Sequence, residues 1–499
     1  MLRRASSIGF DAWWQRAQSV GYCAHPIQLV GTDHYGREKI VWARCNNRRA
    51  SVCPSCSDLY ARDTWQLVAA GTTGGRHHIP EAVSTHPQVF ATLTAPSFGA
   101  VHTSSGTLCR DHRRIREFRR CPHGNPLWCN ENHGYNDPAI GQPLCPDCYD
   151  YIGHVLFTWH LPELWRRFTI TLRRAVSGKL KDVGIQPKSV QLSFVKVVEM
   201  QARAIPHIHA LVRLDPAEFS APNAITTYGD HYDSGPAATD GGGEHRHQTD
   251  PAWEPPITAI ELVALAQHAA RTVSLEVPDP NADSLGETAS LTVRFGSQID
   301  TQPLTTETFV KVEDSEINDP SMGQLSPRRV AGYLAKYVTK SLADFGISAR
   351  RLSSEAIVDL DTTEHVRAIL TTISRLADVA RQGLGTLTGI GRWLHTLGYR
   401  GHITTKSRRY STTMGALRTL RATWTRQQAA SCTAPQHDPI RLELDAVAAG
   451  EQLWWEFDRA GHATPGDRTL VITAALRHIH TRRTGLSECR RIGREGAEQ

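Results

Sequence analysis

The chain has 499 residues, 40% of them hydrophobic and 21% charged, with 56 Lys and Arg against 50 Asp and Glu for a net charge of +6. That length calls for several domains and that balance for a sizeable core, while +6 alone is too mild to demand a nucleic-acid partner. No run approaches membrane-spanning length, and MLRRASSIGFDAWWQRAQ is basic and amphipathic with no signal core, which excludes a membrane protein, a secreted disulfide scaffold and a disordered tail. The expected compartment is cytoplasmic, where clustered cysteines are metal ligands sooner than disulfides.

Residues 1–80 carry a first cysteine group and then a helical stretch, DLYARDTWQLVAAG, ending at glycines. VFATLT at 89–94 is β-branched, aromatic and closed by Ala-Pro, which predicts a strand. Residues 105–150 are rich in Cys, His, Arg, Gly and Pro and have no apolar period, so something other than a hydrophobic core must hold that insert. LPELWRRFTITLRRAV predicts a helix. SVQLSFVKVVEM and IPHIHALVRL predict two strands joined by a short turn at 201–204; in the second, Ile208, Ala210 and Val212 face one way and His207, His209, Leu211 and Arg213 the other. Residues 215–256 have the composition of a disordered excursion. ITAIELVALAQHAARTVS predicts a helix, SLTVRFGSQI a strand, and SPRRVAGYLAKYVTKSLADFG one helix from a Ser-Pro start to a glycine stop. The part beyond 350 is expected to be mainly helical. The whole is an α+β layout.

Three H-x-H triplets occur where about one is expected by chance. His245/His247 lie in the Gly/Asp excursion and His478/His480 in a basic tail; only His207 and His209 sit on a good strand, where period two sends both rings to one face. A half-exposed strand can carry such a pair idly, but a hairpin turn brings Glu199 beside it. Two imidazoles and a carboxylate with open positions suit Mg²⁺, Mn²⁺ or Zn²⁺ acting as a Lewis acid. Tyr333, Lys336, Tyr337 and Lys340 recur at i, i+3, i+4 and i+7. A buried stripe of an amphipathic helix should not contain two lysines, and cationic neighbours favour the phenolate that makes tyrosine a nucleophile.

Two C-x-x-C pairs, Cys53/Cys56 and Cys145/Cys148, exceed the roughly quarter of a pair expected by chance. Cys45 joins the first pair as a zinc ligand, with Cys23 or His25 as fourth. Cys109, Cys121 and Cys129 join the second, near His112, His123 and His133; Cys432 and Cys489 are isolated thiols. Between Gly391 and Gln428 there is no acid, while Arg392, Arg400, Lys406, Arg408, Arg409, Arg418, Arg421 and Arg426 alternate with Trp393, Tyr399, Tyr410 and Trp424. That is the expected footprint of a phosphate-tracking surface with stacking platforms, although a solvated basic face has the same composition. A second arginine cluster spans Arg110 to Arg120. No G-x-x-x-x-G-K-[ST] occurs, so no ATPase is expected.

FATLT, PHIHALV and YLAKYVTK, in that order, resemble the three motifs of HUH endonucleases. More narrowly, with CPHGNPLWC…GQPLCPDCYDY at 121–151 and YRGHITTKSRRYSTT at 399–413, the chain resembles the replication initiator (Rep) proteins of actinobacterial rolling-circle plasmids and integrative elements. The resemblance implies an HUH-type antiparallel sheet over 88–346; the cysteine and charge patterns add a zinc-bound insert at 105–150, a zinc region at 1–80 and a basic, DNA-binding region at 350–499. It implies His207, His209 and Glu199 as ligands of a catalytic Mg²⁺ or Mn²⁺. Tyr333 or Tyr337 would be the nucleophile, Tyr333 slightly favoured, in a nicking and rejoining reaction that leaves a 5′-phosphotyrosine. Origin DNA and a host helicase are the implied partners, without a membrane. A transposase of the HUH type and a non-catalytic zinc-dependent DNA-binding regulator are the rival expectations; conjugative relaxases place their tyrosine before the histidines and fit less well.

Overall fold

The structure, a computed structural model, describes residues 2–32, 38–104, 108–109, 120–134, 137–218, 253–282, 289–304, 326–340, 342–347, 351–382, 385–431 and 454–495. Residues 219–252 of the expected excursion, with His245 and His247, lie outside the described residues, as do 110–119 of the arginine cluster, His112 and Cys432, and the side chains of Arg426 and Cys489. The chain divides into two compact units, one of residues 1–67, 339–341 and 413–499, the other of 68–338 and 342–412. The boundaries expected at 80 and 350 are therefore not where the molecule divides.

In the first unit, strands β1 (Ile27–Thr32) and β2 (Glu38–Ala43) pair antiparallel, and β10 (Trp454–Ala460) closes on the other side of β1, from Ile27 opposite Ala460 to Thr32 opposite Trp454. The C-terminal part is thus not simply helical: it supplies a strand to the N-terminal region. Helices α1 (Leu2–Ala5) and α2 (Phe10–Ser19), the start of α3 (Pro54–Thr73), α8 (Met414–Ser431) and the C-terminal helix Pro465–Glu495 complete the unit. Its buried clusters are small, Trp13, Ala17 and Val471 in one, Val20, Cys23, Ala24, Cys53 and Cys56 in another. Arg4 clasps the buried Asp467 through two bonds of 2.9 Å, and Arg482 reaches Asp58 at 2.7 Å.

The second unit is built on a five-stranded antiparallel sheet in the order β8-β3-β5-β4-β9, with β3 at Gln88–Leu93, β4 at Val190–Met200, β5 at Pro206–Pro216, β8 at Ile299–Pro303 and β9 at Thr404–Lys406. Alternation decides its faces: Ile208, Ala210, Val212 and Leu214 of β5 join Val89, Leu93 and Val198 in the main core with the helices α4 (Tyr151–Asp182), α5 (Ala259–Thr272) and α7 (Glu364–Arg381). α4 starts at Asp150, whose carboxylate accepts from Gly153 N at 2.7 Å, and α5 starts with a Thr258–Glu261 capping box. β4 and β5 stay in unbroken register from Val190 opposite Pro216 to Met200 opposite Pro206.

Two expected elements split. Only Ser290–Arg294 of SLTVRFGSQI forms β7, in a separate hairpin with β6 (Ser274–Pro278), and the chain re-enters the main sheet at Ile299. α6 runs from Pro327 to Tyr337, with Ser326 capping Arg329 N at 3.3 Å, and stops there; Leu342–Phe345 is a separate 3₁₀ turn. The β-branched Val338 and Thr339 stand where the expected helix would continue, a poor helical sequence.

Candidate functional site

β5 is the middle strand of the sheet, so its histidines have paired neighbours on both sides. Glu199 of β4 lies directly opposite His207, and Thr92 of β3 opposite His209. The Glu199 Oε2 oxygen is 3.1 Å from Nε2 of both His207 and His209, and all three side chains are buried. Each ring's other nitrogen is engaged: Thr92 Oγ1 lies 3.1 Å from His209 Nδ1 and the Gln201 amide 3.1 Å from His207 Nδ1, Gln201 itself accepting from Arg203 Nε at 2.9 Å. Phe90 stacks on the His209 ring, 5.9 Å between centroids and 6° between planes. Both imidazoles are thereby aimed by Nε2 at one point beside a carboxylate, a donor set that fits a divalent cation with open positions.

α6 lays its tyrosines over this trio. Tyr333 Oη is 3.3 Å from His209 Nε2, and the Tyr333 and Tyr337 rings are 4.4 Å apart, with Tyr337 5.7 Å from the His209 ring. Burial, then the neighbouring Tyr337 and the Glu199 charge, push the Tyr333 phenol well above its ordinary pKa. Lys336 is exposed and its ammonium is 5.9 Å from the Tyr337 ring centroid. Lys340 departs from the expected helix face: it lies past the end of α6, belongs to the other unit, and there its carbonyl accepts from Arg48 Nη1 at 2.8 Å.

Among the described residues, nine cysteines gather with three histidines into three groups of four ligands able to hold a structural metal ion such as zinc. The first is Cys23, Cys45, Cys53 and Cys56, with Cys23 Sγ 3.8 Å from Cys53 Sγ and 3.6 Å from Cys56 Sγ; Cys23, not His25, completes the set. The five thiols expected at a single second site divide between two. Cys109 and Cys129 join His102 and His133, while Cys121, Cys145 and Cys148 join His123. His102 was hidden because nothing in its local spacing marks it; its Nδ1 comes within 3.0 Å of His133 Nε2 only in the fold.

The basic block is less uniform than its composition. Tyr399 and Tyr410 are buried, at 3% and 0% exposure, so they are core residues and not stacking platforms. Lys406 Nζ donates to the carbonyls of Ser407, Arg408 and Ser411, and burial holds its pKa at about 8. Arg409 donates to Gln191 Oε1 at 2.8 Å and to Ala217 O, and Arg421 pairs with Asp63. Arg408, Arg418 and Trp424 are exposed. A buried network that spacing could not reveal sits farther along the histidine face of β5. Arg213 binds Asp215 at 2.6 and 3.0 Å and the Gly71 carbonyl, His86 meets Asp215 at 2.8 Å, and the guanidinium lies over the Tyr410 ring.

Taken by fold and site, this is an α+β protein of antiparallel sheets, with a buried carboxylate–imidazole trio under two tyrosines and three cysteine-rich groups that could bind metal. The RepSA family, described as "Replication initiator protein, pSAM2", matches residues 9–476. A curated replication initiator protein of Streptomyces ambofaciens is 33% identical over 504 residues, covering 95% of this chain and 92% of that protein. No solved structure matches. The chain belongs to the RepSA family of replication initiator proteins. No described helix is long and apolar enough to cross a membrane.

Proposed function

We propose that the chain is a plasmid rolling-circle initiator of HUH type, which binds origin DNA, nicks one strand by tyrosine transesterification and later rejoins it. The observation that carries this reading is the Tyr333 hydroxyl 3.3 Å from His209 Nε2, above a Glu199–His207–His209 trio whose ligand atoms converge. When bound there, Mg²⁺ or Mn²⁺ would polarise the scissile phosphate. Thr92 and Gln201 hold the two imidazoles in place, and Phe90 backs His209. Tyr333 Oη forms a bond to phosphorus as the bond from phosphorus to the 3′ oxygen breaks; the phenolic proton ends on that oxygen. The products are a 5′-phosphotyrosine and a free 3′-OH that can prime synthesis. One phosphoester replaces another, so the reverse reaction needs no ATP. Tyr337, on the same face one turn later, would make the second strand transfer at termination. Exposed Lys336, Arg408 and Arg418 supply positive charge for the DNA backbone. Unwinding falls to a host helicase.

The test incubates the full chain with Mn²⁺ and a labelled origin single strand and looks for a band that survives denaturation and shifts with the protein. A covalent adduct that disappears on Tyr333→Phe, and on chelation, is the expected result. No adduct, or one that persists when Tyr333 and Tyr337 are both Phe, rejects the reading and favours a non-catalytic regulator, for which His207→Ala would leave DNA binding and replication intact.

A further inference from the structure

Between residues 102 and 148 the described chain has almost no regular structure, only a 3₁₀ turn at Pro146–Cys148 and single bridges at Val101–Pro143 and Arg120–Pro126. The buried residues described there are Cys109, Cys121, His133, Gly141 and Cys145. Apart from the glycine, all are members of the two Cys/His groups. A segment whose interior consists of its own ligands is held by what those ligands bind.

The distances fit one ion in each group. A tetrahedral zinc, with bonds of about 2.3 Å to sulfur and about 2.0–2.1 Å to nitrogen, puts its ligand atoms roughly 3.3–3.8 Å apart. In the first group His102 Nδ1 is 3.0 Å from His133 Nε2, Cys109 Sγ is 3.8 Å from His102 Nδ1, and Cys129 Sγ is 3.4 Å from His133 Nε2. In the second, His123 Nδ1 lies 3.2 Å from Cys148 Sγ and 3.7 Å from Cys145 Sγ. The surroundings also suit bound metal. Asp137 Oδ2 is 2.8 Å from His133 Nδ1, the carboxylate behind an imidazole that raises ligand basicity. Thr103 N donates to Cys109 Sγ at 3.1 Å and Asn125 Nδ2 to Cys145 Sγ at 3.2 Å, bonds that favour thiolate over thiol.

We infer that the 102–148 insert is a two-zinc module with interleaved sites. Along the chain the ligand pairs alternate: His102 and Cys109, then Cys121 and His123, then Cys129 and His133, then Cys145 and Cys148. The first and third pairs hold one ion, the second and fourth the other. Each ion therefore closes a loop that contains half of the other site, so filling either site lowers the entropy cost of closing the other. Zinc leaves the module in one cooperative step. This inference is independent of the chemistry at Tyr333.

The test counts metal in the full chain after chelating resin has removed loosely held ions. Replacing Cys109, Cys121, Cys129 and Cys145 together by Ser should lower the zinc content by two per chain; a loss of one or none overturns the module. Because that variant can fail to fold, zinc-edge X-ray absorption of the unsubstituted chain gives a second reading. With the all-cysteine site also filled, three ions should average three sulfur and one nitrogen ligands. An average without nitrogen overturns the assignment of His102, His123 and His133. The milder Asp137→Asn should speed release of both ions to a chelator about 10–100-fold. Acceleration of one ion alone would refute the interleaved arrangement.

Discussion

A phenol buried beside a carboxylate is held in its protonated form, and Tyr333 is such a phenol until positive charge enters the Glu199–His207–His209 trio. Tyr333→Phe should therefore cut adduct formation by about a hundredfold or more, while Tyr337→Phe leaves first-strand cleavage within about threefold, read on denaturing gels. The supporting residues are separable from the ligands. Thr92→Val removes the partner of His209 Nδ1 and should weaken Mn²⁺ binding by about 10–100-fold in an EPR titration, with Thr92→Ser restoring most of it. Unchanged Mn²⁺ affinity in Thr92→Val would deny that role. A pH effect arises on α4, where burial lowers His154 to about 3 and His160 to about 4 from an ordinary 6.5. Both are neutral when folded, so below pH 6.5 the unfolded chain binds more protons and stability falls as pH drops toward 4. At pH 5 each costs about 2 kcal/mol. Urea midpoints should decline from pH 7 to 5 and decline less in His160→Gln. At this scale the sequence was informative about type and face but not about partners. Alternation put Arg213 on the histidine side, yet its acceptor on Gly71 and its ring neighbour Tyr410 come from distant parts of the chain.

Among elements, the β4–β5 hairpin was the most legible, because period-two alternation over eleven residues of β5 fixes which side chains share a face. The turn between these strands falls at 201–204 as expected, but that it is held from outside was not legible. His154 Nε2 meets Ala204 O at 3.3 Å and His365 Nε2 meets Arg203 O at 3.1 Å; Tyr149 and Tyr151, directly after Cys148, engage the other nitrogens of those rings. Gly141 completes the clasp. Its φ is +84°, and a Cβ there would come within 2.4 Å of the Ala202 carbonyl carbon. Gly141→Ala should destabilise the fold by about 1–3 kcal/mol and, by shifting the turn that carries Gln201, weaken Mn²⁺ binding at an untouched trio. Calorimetry and the same EPR titration would show both, and a loss of stability with full Mn²⁺ affinity would uncouple the insert from the site. The extent of α6 escaped the sequence because the tyrosine–lysine spacing continues through Lys340 although the helix does not.

Across the whole molecule the sequence was least informative. β1 and β10 are short, and what makes a sheet of them is the pairing of β1 with β10 on one side and β2 on the other, typified by Gln28 and Asp458, 430 residues apart yet joined by a 2.7 Å hydrogen bond. No local pattern encodes a contact of that range, so 350–499 was expected as a separate region, whereas 413–499 belong to the first unit. Deleting 454–495 should strip β1 of its partner on one side. Hydrogen exchange should then accelerate at the β1 amides that face β10, with protection in β5 retained; unchanged β1 exchange would mean that the pairing is dispensable. The same connectivity sets an order of events on the ribosome. At ordinary elongation rates, roughly 20–90 s separate the emergence of β1 from that of β10. Throughout that interval β1 lacks its partner on one side, and a chain that stalls short of β10 never acquires it. Each finished first unit is thus a certificate that translation of that molecule ran through β10, and an interrupted initiator is left with β1 bare along one side.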